Sequence, residues 1–215
     1  MIIDLKNIPA LWFGGIKPGR RERLLNTLSS LNIKNEFIEP LISNAQDKAY
    51  AIKISHQRAI KKSIEFNSPV LILEDDIAPT SNYVDIFDLP DDADALYLGT
   101  CVYGLVPDWK NRRMFYDPIW LGRPENLGVY KNLYRIHNML SAHAVIYISQ
   151  KYKEYCYNAI EYCILENMPV DVIFADIMKK FNIYAVDSPV FFQDCQYDNY
   201  DAYEKTQIPL KNIIS

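Results

Sequence analysis

Apolar residues along the chain alternate between short continuous runs and longer segments of helical period. Ile8 to Gly14 is a short run ending at Gly14-Gly15 and is predicted as a buried strand. Pro18 then precedes a stretch in which Leu24, Leu28 and Leu31 recur at helical spacing. Glu36 to Glu39 is predicted as a second short strand. A long helix follows from about Ala45 to Phe66, with Ala49, Ile52, His56, Ala59, Ile60 and Ser63 on one face, and Asn67-Ser68-Pro69 stops it. Val70 to Leu73 is fully apolar and mostly branched, the pattern of a central parallel strand covered on both faces, and it ends abruptly in Glu74-Asp75-Asp76. Ala95 to Leu98 is a further apolar strand ending at Gly99.

From Thr100 to Asn138 the periodicity is lost among prolines, glycines and tryptophans, and residues of about 100–138 are expected to form a long functional loop. Ala144 to Ile148 restores a strand and Gln150 to Glu166 a helix. Asp171, after Pro169, is placed as the N-cap of a helix running to about Phe181. Asn182 to Val186 and Val190 to Phe192 close the pattern before a polar, tyrosine-rich tail. Alternating strands and helices argue for one α/β sandwich over residues 1–215 with a mainly parallel central sheet. Such sheets bind ligands at the carboxyl ends of their strands.

With 215 residues, of which 49% are hydrophobic and 23% charged, the chain can bury a sizeable core, which excludes a disordered tail or a fibre. A net charge of -4 lacks the broad basic field of nonspecific phosphate binding. Tyr197, Tyr200 and Tyr203 interleave with Asp194, Asp198 and Asp201, which argues against a nucleic-acid stacking platform. Only Lys110, Arg112 and Arg113 hint at a basic strip, which keeps a modified DNA base open as a partner. Cys101, Cys156, Cys163 and Cys195 are far apart, consistent with a reducing compartment. No secretory leader is read at the amino terminus and no apolar run approaches the roughly 20 residues of a transmembrane segment, so a cytoplasmic protein is expected.

The acidic triplet carries the chemistry. Three consecutive carboxylates where a buried strand emerges repel one another unless a cation or hydrogen-bond donors compensate. Mg²⁺ or Mn²⁺ takes one or two such carboxylates and leaves its other positions to water and phosphates, which points to a nucleotide diphosphate. The plainer alternative is that the triplet starts a solvated loop or caps a helix near Tyr83 to Phe87.

Ser55-His56, followed at a spacing of 18 residues by Glu74 within Leu73-Glu74-Asp75-Asp76, resembles the signature of glycosyltransferase family 25, the lipooligosaccharide and collagen sugar transferases. Weaker similarity runs through Lys17-Pro-Gly-Arg-Arg-Glu-Arg23, Ala95-Leu-Tyr-Leu-Gly99, Ala144-Val-Ile-Tyr-Ile-Ser149 and Pro169-Val-Asp171, spanning roughly residues 8–193. The family's Gly-Cys before Ser-His is replaced here by Ala51-Ile52-Lys53-Ile54, and its first strand ending in Asn-Leu by Trp12-Phe13-Gly14-Gly15. The resemblance implies a GT-A-like, Rossmann-type α/β sandwich. It also implies transfer of a sugar from a nucleotide-diphosphate donor, UDP-linked, to a hydroxyl of a carbohydrate or other acceptor, with inversion and metal assistance, as in lipopolysaccharide biosynthesis.

Carried onto these residues, the resemblance implies that Asp76 binds the metal, that Glu74 contacts the metal, its water or the donor ribose, and that Asp75 orients the donor sugar. It implies Asp171 as the base that takes the acceptor proton, with the helix N-terminus holding its carboxylate ionised. Asp176 is the reserve candidate, and a plain N-cap is the alternative for Asp171. Arg20, Arg21 and Arg23 either form a solvated helix face or meet the donor, Arg20 and Arg23 being the donor-binding candidates. His56 is either a core histidine or a border of the donor pocket. Trp120 and His143 are the acceptor candidates, His143 being otherwise a metal ligand or an ordinary packed residue, and Trp109, Trp120, Tyr103, Tyr116 and Tyr130 either hold a sugar or pin the loop. Two rivals stand beside the transferase: a noncatalytic glycan- or nucleotide-binding module of the same fold, and a metal-dependent nucleotidyl or phosphoryl transferase. The latter needs a cationic clamp on a Gly-rich loop, which Gly14-Gly15 with Lys17 supplies weakly.

Overall fold

The computed structural model describes residues 1–14, 19–40, 48–112, 119, 121–194 and 207–214. Its strands are β1 (Ile2–Asp4), β2 (Ala10–Phe13), β3 (Asn35–Phe37), β4 (Val70–Glu74), β5 (Ile77–Pro79), β6 (Ile86–Asp88), β7 (Ala95–Tyr97), β8 (Glu125–Tyr130), β9 (Leu133–His137), β10 (Ala144–Tyr147), β11 (Ile183–Val186) and β12 (Phe191–Gln193). Its α-helices are α1 (Arg20–Ser30), α2 (Lys48–Ile64), α3 (Gln150–Leu165) and α4 (Val170–Ile177).

Among the described residues, eight strands form one sheet in the order β3-β2-β4-β10-β7-β11-β9-β8. Alternating side chains commit each central strand to both faces. Val70 and Ile72 of β4 join Ala59 and Ile60 of α2, Cys156 and Ile160 of α3 and Phe174 of α4 in one core. Leu71 and Leu73 join Trp12, Leu24 and Leu28 of α1 and Phe87 in the other. The fully apolar Val70 to Leu73 run is thus explained by helices on one face and α1 with the β1–β6 pair on the other.

The sheet is mixed rather than mainly parallel in its pairings. The β3–β2, β2–β4 and β7–β11 pairs are parallel, whereas β4–β10, β10–β7, β11–β9 and β9–β8 are antiparallel. An apolar run looks the same in either direction, so the reversal of β10 leaves no mark in the sequence. The expected long loop is corrected in its second half: β8 and β9 form an edge hairpin turning at Lys131-Asn132, with Lys131 at φ 54°. The segment near Tyr83 to Phe87 contains β6 rather than a helix. Asp171 is not an N-cap; Pro169 holds that position and Asp171 lies in the first turn of α4.

The packing of α2 against α3 is tied by a buried cation. Lys153 Nζ donates to the carbonyls of Ser63, Phe66 and Ser68 at 3.1, 2.9 and 2.8 Å, so one ammonium from α3 gathers carbonyls at and just beyond the end of α2. The free thiols of Cys156 and Cys163 are buried on the same face, and Cys101 is half-buried. Among the described residues, no helix is long and apolar enough to cross a membrane.

Candidate active site at the end of strand β4

β4 runs buried until Glu74, where the acidic triplet emerges beside the ends of its neighbours. Gly14 follows the parallel strand β2 and stands against Asp75. It has φ 129°, and a Cβ there would lie 2.2 Å from Asp75 Cγ, so only glycine admits this approach. On the other side β10 runs in the opposite direction, which brings His143, just before its first residue, to the same edge of the sheet. The Glu74 N–H donates to the His143 carbonyl at 2.9 Å.

Each carboxylate meets a different donor. His56 projects from α2 with its ring 4.6 Å from that of Phe13, and its Nε2 lies 3.0 Å from Glu74 Oε1. Gln193 Nε2, from β12, donates to Glu74 Oε2 at 3.4 Å. Arg20, at the start of α1 and buried, places Nη1 3.2 Å from Asp75 Oδ1 and 3.7 Å from Asp76 Oδ2. Arg23 pairs with Asp194 at 2.6 Å, and the Asp194 N–H donates to the Asp76 carbonyl, also at 2.6 Å. The two halves of the Ser-His and Glu-Asp-Asp pattern, separate in sequence, are therefore in direct contact.

Burial alone would raise the Glu74 carboxyl, but the His56 hydrogen bond and the nearby His143 and Arg20 carry it below the ordinary range. Asp76 moves the other way, up to about 7, through burial and then repulsion from Glu74, with Arg20 opposing. Asp76 Oδ1 is buried and has no hydrogen-bond partner among the described residues. A divalent cation at that oxygen would relieve the orphaned acceptor and restore the carboxylate. No group of three or more His, Cys, Asp or Glu side chains converges as a metal cluster among the described residues. The residues present thus fit an ion held by Asp76 with phosphate and water in its other positions, not an all-protein cage.

On the helix face of the sheet, Glu74 and His56 open into a cleft of about 430 Å³ that also takes in Lys53, His143, Asn167, Asp171 and Gln193. Asp171 is half-buried there. Its carboxyl is pushed up by burial and then by Glu74, against the Val172 N–H that donates to Oδ1 at 3.0 Å. The expectation that the helix terminus keeps Asp171 readily ionised is therefore reversed, because desolvation outweighs the backbone donor. His143 is buried and its imidazole is shifted toward the neutral form by desolvation, with Glu74 opposing. Its Nδ1 lies 3.2 Å from Ser141 Oγ, and a Cβ on Gly99 would lie 1.8 Å from its Nε2.

The site therefore gathers Glu74, Asp75, Asp76, Arg20, Arg23 and His56, with Asp171 and His143 along the cleft. Asp176 is elsewhere, paired with Lys110 at 3.1 Å in a separate cleft of about 630 Å³. Lys17, Arg113, Tyr116, Trp120, Cys195 and the tail tyrosines lie outside the described residues. Tyr103 and Trp109 pack on a small core of Leu105, Leu140 and Val172, which fits the pinning role. Lys53, Gln193 and Asp194 were not singled out by sequence. A polar Gln-Asp pair directly after the apolar Val190-Phe191-Phe192 run is the signal that marks the latter two, since it repeats the abrupt transition at Glu74.

No family model and no curated protein sequence matches the chain. Among solved structures, it is similar to the nucleoside-diphosphate-sugar pyrophosphorylase of Vibrio cholerae RC9, at 11% identity and a TM-score of 0.46, over 93% of this chain and 81% of that one. It is similar to a glycosyltransferase involved in glycosylation of the major capsid of PBCV-1, at 11% identity and a TM-score of 0.45, over 96% and 93% of the two chains. A Drosophila β1,4-galactosyltransferase 7 mutant, in complex with manganese, UDP-Gal and xylobiose, matches at 9% identity and a TM-score of 0.36, over 94% and 69%. Likeness at this level does not carry an activity from those proteins to this one.

Proposed function

We propose that the chain is a glycosyltransferase that moves a sugar from a nucleotide-diphosphate donor, UDP-linked, to a hydroxyl of a glycan or other acceptor, inverting the anomeric carbon with the help of Mn²⁺ or Mg²⁺. The observation that carries this reading is the contact of His56 with Glu74 at 3.0 Å, at the strand end where Asp76 Oδ1 stands buried without a partner among the described residues. Asp76 would hold the ion, with Glu74 reaching it through water while His56 and Gln193 fix the Glu74 carboxylate. Held there, such an ion would supply the positive charge that neutralises the departing diphosphate. Arg20 and Arg23 supply donors for the same phosphates from the start of α1. Asp75, held by Arg20, orients the donor sugar. Asp171 takes the proton of the attacking hydroxyl, and burial, by raising its carboxyl, makes it a stronger base than an ordinary aspartate. His143 borders the acceptor, and the reaction belongs to glycan assembly in the cytoplasm.

Arg20 between Asp75 and Asp76 favours one second reading, nucleotide binding without metal, because a cation already faces both carboxylates. Thermal shift with UDP, with and without Mn²⁺, separates the two. The transferase reading expects a Mn²⁺-dependent rise in melting temperature that Asp76→Ala abolishes, together with turnover of a UDP-sugar. An equal rise in the presence of chelator, with no turnover, would replace it with the binding module.

A further inference from the structure

We infer that the cleft beside Glu74 contains an anion subsite built on Lys53, and that the acceptor it takes carries a carboxylate or phosphate group. The word acceptor rests on the transferase reading; the anion subsite does not. Among the described residues two lysines are almost wholly buried, Lys53 at 2% and Lys153 at 1% exposure, and they differ in what satisfies them. Lys153 donates to three carbonyls, so its ammonium is saturated by the fold. Lys53 Nζ donates to Asn167 Oδ1 at 2.9 Å, a neutral acceptor, and among the described residues no carboxylate stands within ion-pair distance of it. A buried ammonium with one neutral partner is costly unless an anion completes its shell.

The place of Lys53 says where that anion sits. It lies on α2 one turn before His56, and it lines the same cleft as Glu74, His143 and Asp171. Arg20, which faces Asp75 and Asp76, is not part of that cleft lining, so the donor phosphates have their own cations. Opposite Lys53, Asn167 is held at φ 50° just past the end of α3, which presents its amide oxygen to the ammonium and leaves two of the three Nζ protons for a ligand. An acceptor with an acidic group near the attacking hydroxyl would place that group on Lys53 and the hydroxyl toward Asp171.

The test is titration calorimetry of the full chain, in UDP and Mn²⁺, with glucose, glucuronate and glucose 6-phosphate as probes. The wild type is expected to bind one of the charged sugars at least about tenfold more tightly than glucose, and which one wins separates carboxylate from phosphate. Lys53→Met is expected to level the three while leaving the UDP response intact. Asn167→Asp, which sets a counter-ion on Lys53 without touching the core, is expected to level them too and covers the case in which Lys53→Met does not fold. No preference in the wild type, a preference that survives either variant, or a loss of UDP affinity in Lys53→Met would each overturn the inference. A chain that prefers charged sugars yet ignores UDP would instead sink the transferase reading and leave the anion subsite standing.

Discussion

Asp171 shows what burial costs a single carboxylate. Its carboxyl is raised above the ordinary 3.8 by burial and by Glu74, so in the folded chain it holds its proton at a pH where the unfolded chain has already lost it. Folding stability therefore falls as pH climbs from the unfolded value through the folded one. Asp171→Asn is expected to melt higher than the wild type at neutral pH and level with it below the ordinary carboxylate range, while turnover drops by about 10² or more. Melting curves across pH and steady-state rates check both halves. Coincident melting at neutral pH would remove the burial cost, and normal turnover would move the base elsewhere. Which residues meet at this site was legible only in part. The acidic triplet after an apolar strand announces itself, and so does a histidine on an apolar helix face. That His56 and Glu74 touch depends on α2 packing across β2 and β4, which no local pattern states. Gln193 and Asp194 arrive from the last strand of the described fold, through long-range pairing alone.

At the scale of elements, α2 and α3 owe their register to one ammonium as well as to apolar packing. Removing the Lys153 head takes a charged donor from the carbonyls of Ser63, Phe66 and Ser68, of which Ser63 keeps the Phe66 N–H, and nearby apolar groups cannot replace it. Lys153→Met, which keeps the volume, is expected to cost about 2 to 4 kcal/mol in urea unfolding. A cost near zero would mean that water reaches those carbonyls. The helices themselves were legible: the Leu24 and Leu28 spacing, the stop at Asn67-Ser68-Pro69 and the start after Ser149 all hold, the last because Ser149 Oγ accepts from the Tyr152 N–H at 3.1 Å. The β8–β9 hairpin was not. Its outer strand is exposed along most of its length, so it lacks the apolar rhythm by which a strand is recognised.

For the whole molecule, stability is graded across the sheet. β4, β10 and β7 are buried on both faces and paired on both edges, whereas β8, among the described residues, pairs only with β9 and faces solvent. Amide exchange is expected to be slowest in β4, β7 and β10 and fastest among the strands in β8. Comparable protection in β8 would mean that another surface covers it. The site, by contrast, is stitched from both ends of the chain: Arg23 reaches Asp194 over 171 positions, and the Asp194 N–H closes on the Asp76 carbonyl. During synthesis a nascent chain that has reached β7 already owns its acidic triplet and its arginines, yet Asp194 and Gln193 are still to be made. The pocket is consequently closed only once β12 has been made, and until then a partly made chain lacks the carboxylate and the amide that complete it.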